Sequence, residues 1–204
     1  MIYLNKNDTD IVENMLKEGK VLALPTETVY GLAVSSLKEE YFKRLVKIKN
    51  RKPDKPFTLM ISDINQVKDI IEISPLADKV ISKFTPGPIT IILKSKNLIP
   101  SYLDLNTGYV GIRIPNDKFI LSVINKLNFP LLVPSANPRD LLPATNKEEV
   151  FNYFHEDIDG IVDGEIKSNI PSTVIKIEND EIILLRKGEI SLEQIKEAIK
   201  WKLL

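Results

Sequence analysis

Strand-like and helix-like segments alternate along most of this 204-residue chain. Short apolar runs such as residues 21–25 are followed by longer segments in which apolar residues recur at helical spacing, such as residues 37–49. No internal repeat, low-complexity tract or Gly/Ser linker divides the sequence. The pattern predicts an α/β fold, a twisted mixed sheet of parallel and antiparallel strands flanked by helices, and a single domain over residues 1–204.

Three polar residues interrupt the apolar stretch VLALPTETVYGL at positions 21–32. The strand ends at Pro25, and apolar residues resume at Val29. Thr26, Glu27 and Thr28 are therefore expected at one end of the sheet, where open α/β sheets bind ligands. The stretch predicts a ligand site that includes two hydroxyls and one carboxylate.

A basic segment, KIKNRKPDKP at positions 47–56, follows the second predicted helix. A solvated helix end explains such residues equally well on this segment alone, because basic side chains complement the helix dipole. The spacing Lys49-x-Arg51 favours a second interpretation. Both side chains can converge on one multivalent anion, such as a polyphosphate, Arg as a planar fork and Lys as a point charge.

Further candidates lie at strand ends, and each has an ordinary structural alternative. Ser135 and Asn137 in PSAN suit a phosphate contact, but they are also common turn residues. Arg113 in GIRIP is either paired with a structural carboxylate or reserved for an anionic ligand. Ser172 in PSTV and Arg186 in LLRKG are also consistent with edge-strand polarity.

Composition excludes several classes of protein. The chain has no Cys, which excludes disulfides and thiolate zinc sites. It has one His, so a Ser-His-Asp triad would have to use that single residue. Basic and acidic residues both number 28, so binding to nucleic acid would need a local patch. No leader-like or membrane-spanning stretch is visible, which predicts a soluble, cytoplasmic protein with no membrane partner. Neither a P-loop nor a G-x-G-x-x-G motif is present.

Seven motifs, taken in order, resemble the YrdC-like threonylcarbamoyl-adenylate synthase family: PTETVYGL, KNRKPDKP, PGPIT, GIRIP, PSAN, PSTV and LLRKG. The resemblance implies a YrdC/RibB-like sheet around a concave basic cavity. It implies a nucleotidyltransferase that condenses L-threonine, bicarbonate or CO2, and ATP with Mg2+ into threonylcarbamoyl-AMP and pyrophosphate. This product serves N6-threonylcarbamoyladenosine (t6A) modification of tRNA, through a separate tRNA threonylcarbamoyl transferase complex. Any RNA binding by this chain is therefore expected to be weak.

The resemblance also implies roles for individual residues. Lys49 and Arg51 would be catalytic, meeting the ATP phosphates and the reacting carboxylate. ATP binding is expected from Arg51, Lys55, Ser135, Asn137 and Arg186. Threonine binding is expected from Thr26, Thr28, Tyr30, Arg113 and Ser172. No residue is assigned as a direct metal ligand.

The chain departs from the family pattern at three places, one of which is NIPSTV, where the Gly that precedes the late Ser-Thr in other members is not matched. Pro143 in NPRDLLPAT stands where many members have a serine, and Met60 stands where members with a longer pocket signature have His. The main alternative is a non-catalytic RNA-binding or ribosome-assembly module that uses the same basic cavity. Carbamoyl-transferring relatives are a further alternative, but they carry zinc-finger domains that a chain without Cys cannot form.

Overall fold

The computed structural model describes residues 1–50 and 55–200. The strands of this part of the chain, β1 to β10 in chain order, are Ile2–Asn5, Leu22–Pro25, Tyr30–Ser35, Leu59–Met60, Ile89–Lys94, Tyr109–Arg113, Leu131–Leu132, Gly160–Asp163, Thr173–Glu178 and Glu181–Arg186. The helices, α1 to α7, are Thr9–Lys17, Glu39–Ile48, Pro75–Phe84, Ser101–Asp104, Lys118–Leu127, Lys147–Phe154 and Leu192–Lys200. Short 3-10 turns lie at Ile64–Gln66 and His155–Asp157.

The strands form one mixed sheet in the order β1-β8-β2-β3-β7-β4-β6-β5-β9-β10. Strand pairs β1–β8, β8–β2, β4–β6 and β5–β9 are parallel, and the other neighbouring pairs are antiparallel. The apolar run before Pro25 and the one after Val29 become the antiparallel neighbours β2 and β3, with Pro25 opposite Tyr30. The predicted mixed α/β sheet is confirmed, and the polar residues 26–28 form the loop that reverses the chain.

Two apolar cores cover the sheet, because alternate strand residues point to opposite faces. In β2, Ala23 belongs to one core, and Leu22 and Leu24 belong to the other. The core that contains Leu22 and Leu24 is closed mainly by α1 and α5. The core that contains Ala23 is closed by the remaining long helices. Within the described residues, no helix is long and apolar enough to cross a membrane.

Local capping signals predict several helix starts correctly. The Ser74 hydroxyl accepts a hydrogen bond from the Ala77 amide at 3.2 Å, with Pro75 at the first position of α3. At the start of α7, the Ser191 amide donates to Gln194 and the Gln194 amide donates to Ser191, at 2.8 and 3.2 Å. This is the reciprocal capping box that the sequence predicts.

Other elements are shorter than predicted. The segments FTLMIS and PLLVPS each contribute only two residues to the sheet, β4 and β7. Prolines 56, 130 and 134 flank these strands and have no N–H for a ladder hydrogen bond. The sequence of residues 63–71 predicts a short helix, but the structure has a single 3-10 turn there, in which the Asp63 and Gln66 side chains bond nearby backbone amides. The sequence did not predict α4.

Gly188 allows the chain after β10 to lie directly against the start of β9. A Cβ atom at Gly188 would lie 2.3 Å from the amide nitrogen of Thr173, whereas one at Gly111 would meet its neighbours at 3.4 Å or more. We therefore expect Gly188→Ala to lower the free energy of unfolding by about 2 kcal/mol, and the matched control Gly111→Ala by less than about 1 kcal/mol. Urea denaturation measures both. Equal stability of the two variants would contradict this close approach.

Candidate active site

A cavity of about 140 Å3 lies where β2 and β6 end and β3 and β9 begin. We call it the basic cavity, because Lys49, Arg113 and Arg186 all line it. Lys49 and Arg113 are only 5% and 7% exposed. Burial removes the water that would otherwise solvate these cations, so anions or hydrogen-bond acceptors close to them are favoured.

Thr26 and Thr28 organise the loop between β2 and β3. The Thr26 hydroxyl accepts from the Thr28 and Val29 amides and contacts both the Val29 carbonyl, at 2.7 Å, and the Thr28 hydroxyl, at 3.0 Å. Arg113 Nη2 donates to Thr28 Oγ1 at 2.9 Å. Arginine can only donate and a carbonyl can only accept, so the protons run from Arg113 through Thr28 and Thr26 to Val29. The Thr26 hydroxyl is thus used by the loop itself.

Tyr30 is fully buried and is one of the residues that line the cavity. Its hydroxyl donates to the Gly164 carbonyl at 2.9 Å and accepts from the Gly164 amide at 3.2 Å. Burial raises the pKa of Tyr30 to about 12, although the Gly164 hydrogen bond opposes that shift. The phenol therefore stays protonated, and its hydroxyl is occupied by the backbone of Gly164.

Arg113, at the end of β6, forms a buried ion pair. Its Nη2 lies 2.8 Å from Glu27 Oε1, and the Glu27 and Arg113 side chains are 7% and 8% exposed. Arg113 Nε is buried and has no hydrogen-bond partner. The first of the two explanations raised by the sequence, a paired carboxylate, is therefore present, while Arg113 also lines the cavity.

Ser172 lies between Thr90 and Arg186. Its hydroxyl is 2.9 Å from the Thr90 hydroxyl and accepts from Arg186 Nη2 at 3.0 Å. Arg186 Nε and Nη2 also donate to the Ser172 carbonyl, at 3.0 and 2.9 Å. Although Arg186 as a whole is exposed, desolvation of its guanidinium lowers its pKa, and the charge of Arg113 adds a smaller lowering. The positive charges of Arg113 and Arg186, which both line the cavity, thus repel each other, and this favours the binding of an anion there.

Lys49, the C-cap residue of α2, connects the basic segment to the PSAN motif. Its ammonium donates to the Ser135 carbonyl and, at 3.2 Å, to Asn137 Oδ1. The Ser135 hydroxyl also donates to Asn137 Oδ1, at 2.6 Å. Because two donors already occupy this amide oxygen, it is poorly suited to bind a metal ion directly.

The structure brings most of the predicted residues together. The following line the basic cavity: Thr26, Tyr30, Lys49, Arg113, Ser135, Ser172 and Arg186. Thr28 and Asn137 lie outside the lining but bond to Arg113 and Lys49. Lys55 is exposed and does not line the cavity. Arg51 lies outside the described residues.

Sequence analysis missed Thr90 as a site residue, and it expected the Glu27 carboxylate at the site without identifying its partner. Thr90 lines the cavity and contacts Ser172, and Glu27 pairs with Arg113. Both stand in motifs that carry the family resemblance, PGPIT and PTETVYGL. For Thr90, the available signal was its position as a polar residue in a strand whose neighbouring residues, Ile89 and Ile91, are buried and apolar.

Metal binding by the protein alone finds little support. Among residues 1–50 and 55–200, no group of three or more His, Asp or Glu side chains is arranged to hold a metal ion. A divalent ion that accompanies a nucleotide commonly takes its ligands from phosphates and water, with one or two protein carboxylates at most. The site is compatible with that arrangement.

Comparison with known proteins identifies the family of this fold. The family model Sua5_yciO_yrdC, described as telomere recombination, matches residues 14–188. A protein of Methanocaldococcus jannaschii, provisionally named threonylcarbamoyl-AMP synthase, is 35% identical over 94% of this chain and 93% of its own length. The threonylcarbamoyl-AMP synthase of Bacillus subtilis is 34% identical over 96% of this chain, which spans 58% of that protein.

A solved structure of a related protein has the same fold. The crystal structure of Pyrococcus abyssi Sua5 complexed with L-threonine superimposes with a TM-score of 0.92, at 31% sequence identity. The match covers 98% of this chain and 61% of that one. The matched region contains both the sheet and the segments that line the basic cavity. The chain therefore belongs to the Sua5/YciO/YrdC family.

Proposed function

We propose that the protein is an L-threonylcarbamoyladenylate synthase. It would condense L-threonine, bicarbonate or CO2, and ATP into threonylcarbamoyl-AMP and pyrophosphate. The observation that carries this proposal is a cavity that combines three cationic side chains with the paired hydroxyls of Thr90 and Ser172. The names of two relatives and the L-threonine bound to Pyrococcus abyssi Sua5 support the same substrate.

The amino acid is assigned to the part of the cavity around Arg113. Arg113 lines the cavity and has guanidinium donors besides the Nη2 that Glu27 and Thr28 hold, so it is suited to bind a carboxylate. The Thr90 and Ser172 hydroxyls can bond a side-chain hydroxyl or the second carboxylate oxygen. A cavity of about 140 Å3 suits an amino acid but is smaller than the roughly 300 Å3 typical of pockets for drug-sized ligands, so ATP must extend beyond it.

The triphosphate is assigned to Lys49, Ser135 and Arg186, whose donors lie on the cavity wall. ATP would enter as its Mg2+ complex, with the ion on phosphate oxygens and water, where it would neutralise phosphate charge. The threonine amine adds to CO2 to give a carbamate and releases one proton. A carbamate oxygen then attacks the α-phosphorus of ATP, and the bond to the β-phosphate oxygen breaks to release pyrophosphate. The protein supplies positioning and positive charge.

The test is direct. Purified protein is incubated with MgATP, bicarbonate and L-threonine, and pyrophosphate release and the mass of threonylcarbamoyl-AMP are followed. Product that depends on threonine supports the proposal, and binding of both substrates without product contradicts it. A separate tRNA threonylcarbamoyl transferase would consume the product to form t6A.

The second function considered, a non-catalytic RNA-binding module, fits the geometry less well. A phosphate backbone is bound by exposed Lys and Arg side chains on a groove or patch. Lys49 and Arg113 are instead buried and directed into a small cavity. This arrangement suits a small anionic substrate.

Selectivity for threonine is a prediction of this assignment. Buried hydroxyls that bond a substrate hydroxyl are left unpaired when the analogue lacks it, so valine should be disfavoured by about 1,000-fold or more in kcat/KM. Serine lacks only a methyl group and should lose about 10- to 100-fold. Pyrophosphate release with each amino acid measures the ratios. Equal use of valine and serine would contradict the predicted hydroxyl contact.

A further inference from the structure

Glu27 is a buried acid beside the basic cavity that the reaction described above does not use. It follows Thr26 in the loop between β2 and β3 and is 7% exposed. It is not among the residues that line the cavity, so it is not placed to contact the substrate. Because burying a charge is unfavourable unless it is paired, its position needs an explanation.

The carboxylate of Glu27 connects the residues around it. Its Oε1 accepts from Arg113 Nη2 at 2.8 Å and from the Asn116 amide at 3.1 Å. The carbonyl of Glu27 accepts from the Ser168 amide at 3.1 Å. Glu27 therefore joins three segments that meet at the cavity: its own loop, the chain after β6, and the chain that leads to Ser172.

These contacts fix the direction of the Arg113 guanidinium. Nη2 is held by Glu27 Oε1 and Thr28 Oγ1, at 2.8 and 2.9 Å. Nε remains buried and without a hydrogen-bond partner in a residue that lines the cavity. A planar guanidinium that is held at one nitrogen cannot turn without breaking both bonds, so its remaining donors keep a fixed orientation.

The charge of Glu27 has a second effect. Arg113 and Arg186 are close enough for the Arg113 charge to contribute to the lowered pKa of Arg186. Within the described residues, Glu27 is the acid that forms an ion pair with a residue lining this cavity. It therefore reduces the repulsion between the two arginines before an anionic ligand arrives.

We propose that Glu27 is a positioning residue that holds Arg113 in the orientation that binds the carboxylate of the amino acid substrate. This inference rests on the proposed function, and it adds a residue to which no role had been assigned. It predicts that loss of Glu27 weakens the use of threonine selectively. The nucleotide is bound by other residues and should be little affected.

The experiment compares Glu27→Ala and Glu27→Gln with a matched control, Glu13→Ala. Glu13 is also 7% exposed and pairs with a lysine, Lys126, at 3.1 Å, but it packs in the core closed by α1 and α5. We expect Glu27→Ala to raise the KM for L-threonine about 10- to 100-fold and the KM for MgATP less than about 3-fold. Glu27→Gln keeps an acceptor for Arg113 and should raise the KM for L-threonine by less. Glu13→Ala should leave both constants unchanged.

A double variant separates positioning from a general structural role. If Glu27 acts through Arg113, Glu27→Ala should add little to the effect of Arg113→Lys on the KM for L-threonine. The proposal is overturned if the two effects multiply, or if Glu27→Ala changes both KM values equally. It is also overturned if Glu27→Ala lowers the midpoint of thermal unfolding but retains the wild-type KM for L-threonine.

Calorimetric titration with L-threonine provides a readout that needs no turnover. Weaker binding of L-threonine to Glu27→Ala than to the wild type supports the positioning role even if the wild type forms no product, and in that case only the proposed function fails. Equal affinity in the two proteins, or no binding by the wild type, overturns the inference.

Discussion

Replacing Lys49 by methionine should reduce threonine-dependent pyrophosphate release by about 100-fold or more while the protein stays folded. Lys49 is 5% exposed, lines the basic cavity and holds the Ser135 carbonyl and Asn137 Oδ1. Removing one preorganised charge contact from a buried site typically costs 100- to 1,000-fold in rate. Methionine keeps most of the apolar stem, so the expected loss of stability is only about 1–2 kcal/mol.

Lys47→Met is the matched control, because Lys47 lies on the same helix, two residues earlier, and is exposed. Its turnover should be close to that of the wild type. Circular dichroism melts check folding of both variants, and pyrophosphate release measures rate. A Lys49→Met protein that is folded and turns over normally would remove Lys49 from the phosphate site. The same loss is expected for Arg51→Ala, a residue outside the described part of the chain.

The contrast between Lys47 and Lys49 shows what the sequence could not decide. Basic residues at a helix end are commonly solvated and complement the helix dipole, and exposed Lys47 fits that explanation. Lys49 does not, because its ammonium is buried against a loop that follows β7. The distinction depends on a contact between residues far apart in the chain, which spacing within one motif does not contain.

Locally encoded elements were predicted with the greatest accuracy. Ser74 and Pro75 determine the start of α3, and the run ITIILK coincides with β5, because caps and apolar patterns act over a few residues. The two-residue strands β4 and β7 were predicted to be longer. Their length is determined by pairing with each other and with β3 and β6, together with the prolines beside them.

The chemistry of the site was predictable as residue types but not as a network. Arg113 was expected either to pair with a carboxylate or to bind a ligand, and it pairs with Glu27 while Nε stays unpartnered. Thr26 and Tyr30 were expected to bind threonine, yet their hydroxyls bond the backbone at Val29 and Gly164. A sequence identifies hydroxyls, but only the fold determines which of them the backbone uses.

Breaking the Arg113–Glu27 pair should have the largest effect on stability. Arg113→Met leaves the Glu27 carboxylate buried, and removing one member of a buried ion pair typically costs about 3–5 kcal/mol. Lys126→Met is the matched control, because it removes the partner of buried Glu13 but Lys126 is itself half exposed, so water can reach that site. Urea denaturation should show a clearly smaller loss for Lys126→Met. Equal losses would mean that water also reaches the Arg113–Glu27 pair.

The double variant Arg113→Met with Glu27→Gln should separate stability from function. It removes both charges, so we expect it to recover most of the stability that Arg113→Met alone loses. Binding of L-threonine should remain at least about 100-fold weaker than in the wild type, because no guanidinium is left to meet the carboxylate. Denaturation and calorimetric titration measure the two properties independently. If binding returned together with stability, Arg113 would have only a structural role, and the carboxylate contact would have to be assigned to another residue.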